Sequence, residues 1–114
     1  MAVVYAYVTV PSEAEAMRIG RVLVEERLAA GVNILPGMRS IYRWQGRVEE
    51  AAEAVLIAKT RADRFTELSA RVRALHPYEL PCITALRVEA GDAGYLDWIR
   101  QESAATGQPS GRPG

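Results

Sequence analysis

The 114-residue chain is 49% hydrophobic and 25% charged, the balance of one ordinary globular domain with a single core. Fourteen basic and fourteen acidic side chains cancel, so no overall field recruits nucleic acid or an anionic membrane. A single cysteine excludes an internal disulfide framework and suits a reducing cytoplasm, and no apolar window approaches the ~20 residues that span a bilayer.

The opening "VVYAYVTV" is rich in β-branched and aromatic residues and lacks the basic flank of a signal peptide. Val4, Ala6, Val8 and Val10 alternate with Tyr5, Tyr7 and Thr9, which predicts a strand apolar on both faces and therefore central. Pro11 stops it. Ser12 followed by Glu15 is a capping-box spacing that opens a helix, with Met17, Gly20, Leu23, Val24 and Leu28 at core spacing and Gly31 as its exit.

"VNILPGMRSIYRW" reads as an extended segment interrupted at Pro36-Gly37, where a proline argues for an edge or a bulge. "RWQGR" is a turn, and "VEEAAEAVLIAKT" returns as a strand, giving a long hairpin. Propensity alone would allow a helix over residues 48–54, but "VLIAKT" cannot continue one cleanly. Thr60 with Asp63 marks the next helix start, and Phe65, Leu68, Val72 and Leu75 form its buried stripe opposite Arg64, Glu67 and Arg71. Pro77 ends that helix, Pro81 opens the strand "CITALRV", and Asp92 caps a last short helix. From Ser103 on, "SAATGQPSGRPG" has nothing large and apolar to bury, so residues 1–102 form the domain and 103–114 a disordered tail.

The order β-α-β-β-α-β plus a terminal helix predicts an α+β, ferredoxin-like sandwich: a four-stranded antiparallel sheet with helices on one face. The segment from Val32 to Trp44 is about twice the ~5–6 residues a strand needs and carries Ile41, Tyr42 and Trp44 at its far end. One small domain cannot cover that ribbon, whereas the sheet edge of a second copy can.

The chemistry concentrates in "RALHPYELPC", which holds the only histidine and the only cysteine. His76 and Cys82 suit copper(I) or zinc, with Glu79 as a third donor, although six residues of chain must double back for them to share one ion. The plain alternative is a helix-ending histidine and a small buried cysteine. Glu53, Lys59 and Tyr78 are candidates for a second kind of site, a cleft for an anion or polar metabolite, with Lys59 as point charge and Tyr78 as donor. No nucleophile elbow, metalloprotease motif or phosphate loop occurs, so the chain does not read as an enzyme.

"VNILPG", "SIYRWQGRVEE", Glu53, Lys59-Thr60, "LHPYELP" and "YLDWI", in this order, resemble the CutA family of divalent-ion tolerance proteins. The resemblance covers nearly all of the chain except the tail. It implies a cytoplasmic homotrimer built through the long hairpin, a link to copper and other divalent ions, and an architecture similar to PII signalling proteins. That last likeness carries the rival expectation of an anion-binding signalling module with no metal role. Two positions depart from the family pattern: Gly31 stands where cysteine is common, and Cys82 where glutamate is common.

Overall fold

The computed structural model describes residues 1–105. Strand β1 (Val3–Val10) leads into helix α1 (Glu13–Glu25), then strands β2 (Gly31–Trp44) and β3 (Arg47–Arg61). A short 3-10 turn (Ala62–Arg64) precedes helix α2 (Phe65–Leu75), followed by strand β4 (Ile83–Arg87) and helix α3 (Ala93–Glu102). The sheet order is β2-β3-β1-β4 with every pair antiparallel, which is the ferredoxin-like sandwich expected. Among the described residues no helix is long and apolar enough to cross a membrane.

Alternation along the strands separates the two faces. Ala6, Val8 and Val10 of β1 join Ala54, Leu56 and Ala58 of β3 on one face, where Ala16, Ile19 and Leu23 of α1 and Leu68 and Val72 of α2 cover them. The apolar stripe of α1 is out of phase with the expected one. Ala16, Ile19, Gly20 and Leu23 are buried, while Met17 and Val24 are exposed, because the repeat that meets the sheet starts at Ala16. Gly20 eases this approach: a Cβ would sit 3.0 Å from Val32 Cγ2 and 3.3 Å from Leu56 Cδ1, so those side chains would have to give way.

The exit of α1 also differs from expectation. The helix stops at Glu25, and Arg27, at φ 60°, makes the left-handed turn expected of Gly31. Its guanidinium offsets that strain by donating to Gln101 O (2.9 Å) and Ala104 O (3.1 Å). Gly31 instead begins β2 beneath the Trp98 ring. Thr60 does not cap α2: β3 runs on to Arg61, and the buried Thr60 hydroxyl donates to Leu28 O at 2.7 Å. Arg64, expected on a wet face, is folded inward and donates to Ser103 O and Arg27 O.

The hairpin is a continuous pair of strands, closed by Gln45 and Gly46 at positive φ, the geometry of a two-residue turn. Residues 48–54 are strand, since pairing with β1 and β2 outweighs the helix preference of alanine and glutamate. Pro36 and Gly37 together oppose Ala54 as a bulge, with Gly37 at φ 74°. β1 pairs with β3 only as far as Val10↔Ala54, so residues 38–44 and 47–53 pair with each other alone and project as a ribbon.

Helix α3 covers one end of the opposite face through Val3, Tyr5, Ala30, Tyr95, Trp98 and Ile99. Ser103, expected to open the tail, is fully buried, so the folded part extends past Glu102. Its hydroxyl donates to Ile99 O (2.6 Å) and accepts from Arg61 N (3.1 Å). Residues 106–114 of the expected tail lie outside the described residues. Ser103→Ala leaves the Arg61 N–H without its acceptor and should cost about 1–3 kcal/mol, read as a lower thermal midpoint, whereas the exposed Gln101→Ala should leave the midpoint unchanged.

Candidate functional site

The face opposite α1 and α2, beyond the end that α3 covers, carries an open groove of about 940 Å³. Its floor is Tyr7 and Thr9 of β1 with Glu53 of β3, one wall is the ribbon segment that includes Met38, Tyr42 and Trp44, and the other is the loop between α2 and β4. That loop forms because Pro77 forbids another helical turn and holds His76 extended, at φ −82°, ψ 136°.

His76 then fixes the loop to the sheet. Its Nδ1 accepts from Tyr78 N at 3.1 Å, so Nε2 carries the proton and donates to Thr9 O at 2.7 Å. The Tyr78 ring lies 4.8 Å from the imidazole, and its hydroxyl reaches across the groove to Glu53 Oε2 at 2.9 Å. Glu53 is buried, and no ion pair among the described residues includes it.

The residues singled out from the sequence separate into three groups. Glu53 and Tyr78 meet directly. Lys59 does not join them: it shares a face and a strand with Glu53 but lies six residues along, roughly 20 Å at strand rise. There its Nζ donates to Tyr95 Oη at 2.6 Å and lies 5.8 Å from the centre of the Tyr5 ring. Cys82 and Glu79 line the groove and are exposed, so the thiol is not the small core residue of the plain alternative.

The set His76, Cys82 and Glu79 is not assembled as a metal centre. His76 spends both ring nitrogens on the backbone and has no lone pair left for an ion. Among the described residues no three His, Cys, Asp or Glu side chains converge as metal donors. Ile41, Tyr42 and Trp44 stand on the ribbon with exposures of 72, 44 and 36%. Thr9 and Tyr95 were missed by sequence reasoning: Thr9 acts through its carbonyl, which no side-chain pattern marks, whereas the Tyr95–Trp98 spacing on α3 was visible as a helix face.

Burial pushes the Tyr78 phenol up to about 12, helped by its bond to the Glu53 carboxylate and that group's negative charge. Because the folded value lies above the free phenol's ~10, the associated stability is complete below pH ~10 and is lost as pH rises towards 12. An ultraviolet difference titration should show one phenol ionising at about 12, and Glu53→Gln should lower it; an unchanged titration in the variant would contradict the coupling.

The family model for the CutA1 divalent ion tolerance protein matches residues 4–102. A divalent-cation tolerance protein CutA of Thermus thermophilus is 54% identical over 84% of this chain and 93% of its own length. A solved Thermus thermophilus structure described as a divalent cation tolerance protein superposes with a TM-score of 0.87 at 51% identity, covering 90% of this chain and 99% of that one. The human protein CutA is 46% identical over 84% of this chain, which spans 54% of the human length. The family model and the Thermus thermophilus proteins carry the names of tolerance proteins rather than of enzymes. With its sheet order, its long hairpin and a match over nearly the whole described length, the chain belongs to the CutA1 divalent ion tolerance family.

Proposed function

We propose that the protein acts in divalent-cation tolerance as a homotrimer that takes up copper or another divalent cation where its groove meets a neighbouring copy. The observation that carries this reading is the ribbon of residues 38–44 and 47–53, which has no third strand among the described residues and exposes Ile41, Tyr42 and Val48. Edges and apolar surface of this kind are covered in stable proteins by another chain. Three copies are the number the family resemblance implies, and the ribbon is the element they would share.

Within one subunit Cys82 and Glu79 are the donors left for the cargo, a thiol and a carboxylate on the same groove wall. Two donors do not complete a site for zinc or copper, so the remaining ligands come from the neighbouring copy. His76 acts here by holding the loop that carries them. The exposed free thiol fits a reducing compartment, and on that ground we place the protein in the cytoplasm. Relatives are described as periplasmic in Archaeoglobus fulgidus and chloroplastic in rice, so this placement concerns the present chain only.

The rival reading, a PII-like module for an anionic metabolite, is favoured by one observation. Lys59 is held by the Tyr95 hydroxyl and the Tyr5 ring, and no ion pair among the described residues includes it, which leaves its charge for an incoming anion.

Sedimentation at micromolar concentration should show a trimer with no monomer, and Trp44→Asp should shift the boundary to smaller species; a monodisperse wild-type monomer refutes the architecture. Calorimetric titration with copper and zinc should lose about tenfold or more in affinity for Cys82→Ser. Equal binding by parent and variant removes Cys82 from the site. If an anion screen by thermal shift gives a hit abolished by Lys59→Ala while metals do nothing, the rival reading replaces this one.

A further inference from the structure

Pro77 leaves the end of α2 short of donors. It has no N–H for Arg73 O, and the next amide, Tyr78 N, bonds His76 Nδ1 instead of continuing the helix. One carbonyl of that last turn is met from another helix. Arg18, exposed on α1, donates from its guanidinium to Leu75 O at 2.7 Å. The amide of the same peptide, His76 N, donates to Val72 O at 2.8 Å. The peptide plane that leads into His76 is therefore bonded at both ends, and Arg18 holds one of them.

Arg18 is itself oriented. Its Nε donates to Glu15 Oε2 at 3.0 Å, and Glu15 lies in the first turn of α1, where its amide is bonded to Ser12 Oγ at 3.2 Å. On the other side of the peptide, the imidazole donates to Thr9 O. Both anchors of the loop thus belong to one corner of the fold, where β1 ends and α1 begins. We propose that Arg18 is a positioning residue. By holding the Leu75–His76 peptide it fixes the tautomer and bonds of the imidazole, and through them the loop that carries Glu79 and Cys82. The outer helix layer thereby sets geometry in the groove across the sheet. That last step rests on the cation-tolerance reading; the effect on His76 does not. Arg71 is the natural comparison, because it joins α2 to the α1 exit through Glu26 at 2.9 Å, and its side-chain hydrogen bonds among the described residues go to that carboxylate.

His76 is the only histidine in the chain, so its ring can be followed without ambiguity. In isotopically labelled full chain at pH ~8, where an ordinary imidazole is neutral, long-range proton–nitrogen spectra should show one tautomer, protonated at Nε2. Arg18→Ala should mix the two tautomers and speed exchange of the Nε2 proton about tenfold. Arg18→Lys, which keeps one donor, should fall between that variant and the parent, and Arg71→Ala should match the parent. In titrations with copper and zinc, Arg18→Ala should bind several-fold more weakly, with Arg71→Ala unchanged. An Arg18→Ala spectrum identical to the parent's overturns the inference. Equal changes in Arg18→Ala and Arg71→Ala overturn it too, since Arg18 would then be a general tie between helices. Changed spectra with unchanged metal affinity overturn its role at the cation donors. A parent that binds neither metal removes the cation-tolerance reading alone, and the imidazole spectra still decide the role of Arg18.

Discussion

Strand β1 accompanies β3 as far as Val10, and beyond that point β2 and β3 run on with only each other for seven more residue pairs. Below the bulge at Pro36-Gly37 the sheet is an ordinary half of a two-layer sandwich, closed by Ile19 and Leu23 of α1 and Leu68 and Val72 of α2. Above it, among the described residues, β2 and β3 have no third strand beside them. An isolated two-stranded ribbon is marginal in water, yet this one is continuous to its turn and stretches the molecule to 47 × 26 × 24 Å. The groove exists because of that projection, since one of its walls is the ribbon itself.

The other wall depends on a single histidine. Pro77 breaks α2, and an imidazole bonded at both nitrogens ties the resulting loop to the end of β1. Tyr78 then points over the sheet to Glu53. A residue whose type suggests catalysis or metal binding is thus spent on positioning, and the groups left for chemistry are its neighbours. Charge follows the same division along β3. Glu53 lies at the base of the ribbon and Lys59 beside α3, each bonded to a phenol and neither in an ion pair among the described residues.

Element order, strand alternation and turn chemistry were legible in the sequence, because each rests on local rules: Pro36-Gly37 at the bulge, Gln45-Gly46 at the turn, Asp92 accepting from Tyr95 N at the start of α3. Helix phase was less so. Met17 and Ala16 both fit an apolar stripe, and only the sheet beneath decides between them. The exit of α1 was misplaced because Arg27 takes a glycine-like backbone angle that contacts with α3, 75 residues away, compensate. Of the site, the Glu53–Tyr78 pair could be anticipated as a grouping, but not the separation of Lys59, which follows from strand register. The saturation of His76 could not be read at all, since its acceptor is a backbone carbonyl 67 residues earlier.

The central claim is that the ribbon is covered by further copies of the chain, and amide hydrogen exchange reports on it residue by residue. If copies share the ribbon, amides of residues 38–44 and 47–53 should be protected to nearly the level of Val8 and Leu56, and should lose that protection in Trp44→Asp. Ribbon amides exchanging freely in the wild type, while those of β1 stay protected, would contradict the account.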